Sequence, residues 1–172
     1  MRKAIVRTLL ALLGALSTWL VLAATAGATG PSIGHFSLSG EAIDPGASAA
    51  CGFTITDTFT DTGTFQVLFD VQGNPVRMQV MTSSTGTVTA NGITLLAHGQ
   101  DNLFFNIPDQ TVMEVGLPGM AYLPGLGVVI QDAGRLLWSF DAFVNGGPPL
   151  VEQGPHPSLN GNIGALCAAL TP

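Results

Sequence analysis

The feature that most constrains this chain is the alternation of apolar and polar residues that begins at Cys51. Phe53, Ile55 and Phe59 alternate with threonines, and a period of two is typical of a half-buried β-strand. Beyond residue 30 no helical period persists, apart from a final turn at 163–170. The pattern therefore predicts an all-β protein. Comparable short runs recur at 65–71, 76–81, 87–90, 93–97, 103–107, 111–115, 126–131 and 136–140.

The residues between these runs predict how the strands are connected. Asn91-Gly92 is the strongest hairpin signal in the chain, and 61–63 and 132–134 also have the composition of turns. Short strands at regular spacing favour an antiparallel β-barrel of about eight strands, with a β-sandwich as the alternative. The Gly-, Ser- and Ala-rich segment 29–50 is expected to be a flexible lead-in to a single β domain at 51–172.

The N-terminus has the pattern of a secretory signal peptide. Arg2, Lys3 and Arg7 precede an apolar run from Leu9 to Ala24, and small residues close the segment. A basic start, an apolar centre and an A-x-A-like exit are typical of a cleaved signal, while a retained membrane anchor is the competing interpretation. We therefore expect residues 1–28 to be removed and the protein to be secreted, with no membrane contact after cleavage.

Export determines how the two cysteines are interpreted. Cys51 and Cys167 lie near the two ends of the expected mature chain, and an even number of cysteines in an oxidising compartment predicts a disulfide. A catalytic thiol would be expected to stay unpaired. The sequence therefore predicts one structural bridge.

The charge distribution excludes several classes of function. After residue 7 the only cations are Arg77 and Arg135, against eleven acids, which leaves a formal charge of −9. Nucleic-acid binding through a basic face requires clustered Lys or Arg, and the chain has no lysine after Lys3 for Schiff-base or P-loop chemistry. We expect no nucleic-acid partner.

Few residues suggest chemistry. The three histidines, His35, His98 and His156, lack the spacing of a zinc site, and no glycine pattern matches a dinucleotide loop, so neither a metal nor a cofactor is predicted. Asp132, Arg135 and His156 are the weak catalytic candidates. Asp132 and Arg135 would pair within one turn, and His156 would reach them as a general acid or base. The alternative is that Asp132 and Arg135 simply stabilise that turn.

Several strings together resemble a family of small exported proteins of unknown function from actinobacteria and related soil bacteria. They are Cys51-Gly52-Phe53, Gly73-Asn74-Pro75-Val76-Arg77, the run 124–129, Asp132-Ala133-Gly134-Arg135, Gly154-Pro155-His156 and the run 166–170. The segment 140–149 is longer than the corresponding turn of that family. The resemblance implies export and a disulfide-tied β fold, and it implies no activity and no site residue.

Two functional hypotheses follow. The first is a non-enzymatic exported β domain that binds a small apolar ligand or acts at the cell surface, because barrels of about eight strands can hold one small ligand. The second is a small-molecule isomerase, cyclase or hydrolase with its site at the barrel mouth, around Asp132, Arg135 and His156.

Overall fold

The computed structural model describes residues 30–172 as one antiparallel sheet in which each strand pairs with the next along the chain. The expected signal peptide at 1–28 lies outside these residues. The strands are β1 (Ser32–Ile43), β2 (Thr56–Phe69), β3 (Pro75–Ala90), β4 (Ile93–Asn106), β5 (Thr111–Leu123), β6 (Gly127–Ser139) and β7 (Val151–Gln153). The helices are short: α1 (Pro45–Cys51), α2 (Phe140–Asn145) and α3 (Gly164–Ala169).

The all-β class is confirmed, but the closed barrel of about eight strands is not. The described sheet has seven strands in the order β1 to β7. β1 pairs only with β2 and β7 only with β6, so the two edge strands are not hydrogen-bonded to each other. The architecture is a long-stranded antiparallel meander with two edges.

Most of the short strands expected from the sequence are halves of longer ones. The runs at 76–81 and 87–90 both belong to β3, and those at 93–97 and 103–107 both belong to β4. The expected turns at 61–63 and 132–134 are wrong, because both segments lie inside continuous strands, β2 and β6. Polar residues and glycines at the strand centres interrupt the apolar alternation without ending the strand.

The expected flexible lead-in at 29–50 is also wrong, since it contains β1 and α1. Two glycines of β1 that suggest a loop lie under aromatic rings: Phe65 covers Gly34 and Phe59 covers Gly40. An aromatic ring on the neighbouring strand compensates for the missing side chain of a glycine in a sheet. Pairing with β2 thus makes β1 a strand despite its composition.

Three predictions from the sequence are confirmed: the hairpin turn at Asn91-Gly92, the final helical turn and the disulfide. Asn91 and Gly92 both have positive φ, 52° and 79°, as a two-residue hairpin turn requires, and they join β3 to β4. The final helical turn is present as α3, and the predicted Cys51–Cys167 disulfide is formed. The disulfide joins the end of α1 to α3.

Two apolar clusters define the inner face of the sheet. One, at the end of the sheet that α1 and α3 cover, centres on Ile55, Val88, Leu95 and Leu170. The other, at the opposite end of the strands, includes Val80 and Phe105 and is covered by α2 through Phe140 and Phe143. Because side chains alternate along a strand, the face that carries both clusters is the inner face, and the other is the outer face.

Candidate functional site

The catalytic candidates from the sequence do not share one face of the sheet. Asp132 pairs with Gly119 and Arg135 with Val115 in the β5–β6 ladder. Alternation therefore places Asp132 on the inner face and Arg135 on the outer face. The predicted ion pair within a turn is not formed, and among residues 30–172 no carboxylate bonds to Arg135.

Asp132 and His156 instead hold the segment that follows β7. The Asp132 carboxylate accepts a hydrogen bond from Ser158 N at 3.1 Å. His156 is buried, and its Nε2 donates to the Gln153 carbonyl at 3.2 Å. The Pro155 carbonyl accepts from Ala133 N at 2.8 Å, which ties the same segment to β6. These contacts support a structural role for both side chains.

The carboxylates of the long strands share an unexpected placement. The pairing registers place every acidic side chain of β2–β6 on the inner face and both arginines on the outer face. Asp61, Asp101 and Asp132 lie near the middle of their strands, between the two apolar clusters. Asp57 instead pairs with Val88 of one cluster, and Glu114 pairs with Leu103 of the other. The acidic residues are Asp57, Asp61, Asp101, Glu114 and Asp132.

Two of these carboxyl groups have a pKa well above the ordinary value of an aspartate. Burial raises the pKa of Asp101 to about 6, and the negative charge of Asp61 acts in the same direction. Burial also raises the pKa of Asp57 to about 6, with a further contribution from the charge of Asp44. Desolvation disfavours a charged carboxylate, so both groups hold a proton more tightly in the fold than in water.

In the described part of the chain, no set of three or more His, Cys, Asp or Glu side chains is arranged to hold a metal ion.

The outer face carries a continuous apolar stripe along β5, which the sequence analysis did not anticipate. Five apolar side chains of β5 project outward, because each pairs with an outer-face residue of β4 or β6. We call them the β5 stripe. Its members are Met113, Val115, Leu117, Met120 and Tyr122.

The neighbouring strands extend the stripe at both ends and flank its centre with polar groups. At one end, Phe104 of β4 and Leu137 of β6 lie on either side of Met113. Leu96 of β4 and Val128 of β6 flank Tyr122 and are 38% and 56% exposed. His98 and Gln131 lie on either side of Met120. α1, α2 and α3 all pack with the inner-face clusters, so none of the described helices covers the stripe. The five members of the β5 stripe are half-buried, and Leu96 and Val128 add the exposed part of the patch. An apolar surface patch with polar neighbours is typical of a binding surface.

Part of the signal for the stripe was present in the sequence. Residues 116–127 are rich in Gly and Pro, a composition typical of a loop, but β5 continues to Leu123 through a register shift between Gly116 and Gly119. The bulge accommodates Pro118, which cannot donate to a regular ladder. Once the bulge is allowed for, 113, 115 and 117 fall on the same face as 120 and 122.

The two arginines occupy different settings on the outer face. The Arg77 guanidinium lies 5.1 Å from the centroid of the Phe104 ring, a cation–π contact. Arg135 is exposed and pairs with Val115 of the stripe on one side and with Gln153 of β7 on the other. Arg135 therefore places a positive charge at the border of the β5 stripe.

A separate surface cavity of about 420 Å³ lies where α2, β7 and the C-terminal segment meet, lined by Gly147, Pro149, Glu152 and Asn160 among others. Its polar groups are already paired, since Asn160 Nδ2 donates to Glu152 Oε1 at 2.8 Å. This cavity presents no arrangement of reactive groups.

Comparison with known proteins adds no relative to this description. The chain matches no protein-family model, no curated protein and no solved structure. The resemblance to small exported actinobacterial proteins therefore stays a prediction.

None of the helices within residues 30–172 is long and apolar enough to cross a bilayer.

Proposed function

We propose that this chain is an exported, non-enzymatic β-domain protein that binds an elongated apolar ligand along the β5 stripe. The observation that carries the proposal is the outward placement of apolar side chains at five successive outer-face positions of one strand, with polar residues of β4 and β6 on both sides of its centre. Met side chains adapt to irregular apolar partners, and Tyr combines an apolar ring with a polar tip. Export is supported by the basic and apolar N-terminal pattern and by the Cys51–Cys167 disulfide.

The dimensions of the stripe support a chain-like ligand. Outer-face residues of one strand are spaced by about 6.7 Å, so five of them extend over roughly 27 Å. The position of Arg135 beside Val115 supports a ligand with an acidic group, because a guanidinium pairs favourably with a carboxylate. An acyl chain that ends in a carboxylate has both properties.

The ligand is proposed on the outer face because side chains occupy both ends of the inner face. Val67, Val80, Leu103 and Phe105 are buried in one cluster, and the other cluster buries Leu95 and Leu170 completely. A small apolar ligand inside the sheet would have to displace these contacts. Binding on the stripe displaces none of them.

We also propose that the sheet curls toward an open barrel rather than a sandwich. The support is the occurrence of glycines at inner-face positions in the middle of each long strand, where the concave side of a bend leaves little room for a side chain. These glycines are Gly63, Gly86, Gly99, Gly116 and Gly134. Small-angle scattering from the secreted protein distinguishes a single curled sheet from two stacked layers.

The binding proposal is tested with protein purified from culture medium. Native mass spectrometry should detect a co-purified apolar ligand, and titration with cis-parinaric acid should give saturable fluorescence. Met120→Gln should weaken this binding about tenfold, because a polar group would interrupt the apolar contact. Met81→Gln is the matched control: Met81 is 45% exposed on the same face but lies on β3, away from the stripe.

A second pair of variants tests the acidic group. Arg135→Gln should weaken cis-parinaric acid binding, whereas Arg77→Gln, which removes the same charge from the same face, should leave it unchanged. Equal affinities of the Met120→Gln and Met81→Gln variants, or no saturable binding by the unmodified protein, would show that the stripe is not the binding surface.

An enzyme remains the second candidate, and one observation favours it. Asp101 of β4 and Asp61 of β2 are inner-face carboxyl groups separated by β3. Burial, together with the charge of Asp61, raises the pKa of Asp101 to about 6. A carboxyl group with a raised pKa is suited to general acid–base catalysis near neutral pH. An isomerase, cyclase or hydrolase activity would therefore depend on Asp101 rather than on Asp132, Arg135 and His156. Its test is turnover of a small apolar substrate that Asp101→Asn abolishes and Asp109→Asn preserves.

A further inference from the structure

Within residues 30–172, the outer edge of β1 is long and has no paired strand. β1 has 12 residues and pairs only with β2, and among residues 30–172 no backbone hydrogen bond connects it to another element. The side chains of His35 and Ser39 also bond to β2, at Thr64 and Thr60. Unpaired N–H and C=O groups along such an edge are a template for another strand.

β1 also lacks the devices that usually protect an edge. Between Ser32 and Ile43 there is no proline and no lysine, and the single charged residue is Glu41. Ile33 and Ile43, at the two ends of the strand, project from the outer face and are both 61% exposed. These two exposed isoleucines become buried only when a partner pairs with this edge.

We propose that a second copy of this chain pairs with β1 through its own β1, antiparallel and in the register that places Leu38 opposite Leu38 of that copy. The resulting dimer has a two-fold axis perpendicular to the joined sheet. An isologous contact of this kind uses the same surface twice and closes after two subunits.

The register follows from the alternation of side chains. Paired residues in an antiparallel ladder point to the same face, so a two-fold dimer that keeps the inner and outer faces continuous must place one residue of β1 opposite itself. With Ser37 or Leu38 at that position, 11 residues of each 12-residue strand are paired, more than in any other allowed register.

The side chains distinguish these two registers. With Leu38 on the axis, Ile33 lies opposite Ile43 of the second copy, and His35 lies opposite Glu41. Both exposed isoleucines then gain an apolar cross-strand partner, and the single charged residue faces a basic one. With Ser37 on the axis, Glu41 lies opposite Ile33, and Ile43 lies opposite Pro31, which cannot donate a ladder hydrogen bond. Two cross-strand isoleucine pairs and polar His35–Glu41 pairs favour the first arrangement.

The association is tested by sedimentation equilibrium of the secreted protein over a range of concentrations. We expect a monomer–dimer equilibrium without larger species. Ile33→Lys should raise the dimer dissociation constant about tenfold or more, because it affects two symmetry-related apolar pairs. Leu68→Lys is the matched control, since Leu68 is an exposed outer-face residue on the neighbouring strand β2. Circular dichroism checks that both variants are folded.

The register is tested by disulfide trapping. Ser37 and Ser39 are both exposed on the outer face, and in the proposed register each lies opposite the other in the second copy. Directly opposed residues have Cβ atoms about 4.5–5.5 Å apart, near disulfide distance. A mixture of Ser37→Cys and Ser39→Cys chains should therefore form a cross-linked dimer on mild oxidation, while each variant alone should not.

Several results would overturn the proposal. They are a monomer at all concentrations up to the millimolar range, a dimer that Ile33→Lys leaves intact, polymers larger than dimers, and cross-linking of Ser37→Cys chains with one another. Polymers would indicate head-to-tail pairing of β1 with the edge of another strand. A strict monomer would leave the edge for a different partner. The proposed ligand binding at the β5 stripe does not depend on any of these outcomes.

Discussion

Cys51 at the end of α1 and Cys167 in α3 are joined by a disulfide that spans 116 residues of sequence. Both cysteines pack against the apolar cluster that includes Leu95 and Leu170. The bond therefore ties the helix between β1 and β2 to the C-terminal helix at one end of the sheet, where neither helix has more than seven residues.

The disulfide is expected to contribute strongly to stability. In the chain-entropy model, opening a loop of this length costs about 5 kcal/mol, an upper value for the real effect. Reduction, or the double substitution Cys51→Ala and Cys167→Ala, should lower the urea midpoint of unfolding substantially. An unchanged midpoint after complete reduction, verified by thiol titration, would contradict this prediction. Reducing agent added to the double variant is the control and should have no effect.

Gly86 is expected to tolerate no side chain. A Cβ at this position would collide with the carbonyl oxygen of Thr58 on the neighbouring strand. Gly86→Ala should therefore destabilise the fold by about 1–3 kcal/mol, as overpacking does in well-packed interiors. Gly164→Ala is the matched control: a Cβ there meets no atom within 4 Å, and the site begins α3. Urea unfolding should separate the two variants clearly, and equal stabilities would exclude a close approach of β2 to β3 at Gly86.

Stability is expected to rise on mild acidification. The pKa of Asp101 is about 6 in the fold against an ordinary value of 3.8, so the folded state binds a proton more tightly than the unfolded state. The unfolding free energy should therefore increase as the pH falls from about 7 to about 4, by at most about 3 kcal/mol for this group. Below pH 4 the contribution should be constant.

Asp101→Asn tests this pH dependence. The variant should be more stable than the unmodified protein at pH 7.5 and should show a shallower slope between pH 4 and 7. A slope due to Asp57 should remain, because its pKa is raised in the same way. Asp109→Asn, at an exposed position between β4 and β5, is the control and should leave the slope unchanged. A stability profile that falls with acidification over this range would contradict the placement of Asp101 in a desolvated site.

Export predicts a defined mature N-terminus. Intact mass and N-terminal sequencing of protein from culture medium should place the first residue at Gly27 or Thr29, where A-x-A strings end. Recovery of the full-length chain in the membrane fraction would favour the retained anchor instead.

Signals that act over a few residues were interpreted correctly from the sequence. Asn91-Gly92 forms the expected hairpin turn, because its positive φ angles are a local requirement that few other residues satisfy. The β class likewise followed from the alternation around Phe53, Ile55 and Phe59. Asp132-Ala133-Gly134 has equally good turn composition, yet it lies within β6. There Gly134 has φ 128° and packs against the backbone of Gln153 and Gly154, a contact that no local pattern reveals.

For the candidate site too, local sequence signals were informative and the long-range placement of side chains was not predicted. Arg135 stands out in the sequence because it is one of only two cations after residue 7. Asp132 is its predicted partner because the two are three residues apart. In a strand that separation places them on opposite faces. The β5 stripe was missed because its alternation is interrupted at Pro118, and only the bulge between Gly116 and Gly119 restores it.

By itself, the sequence determined that this protein is built of antiparallel strands and that it carries a disulfide, because alternation and cysteine number are properties of the chain. Only the tertiary structure decided that the acids of β2–β6 share the inner face, that the β5 stripe faces outward, and that β1 is an edge. Each of these depends on register and on bulges, and a shift of one residue in a strand exchanges its two faces. Register is determined by the packing of neighbouring strands, which short sequence patterns do not contain.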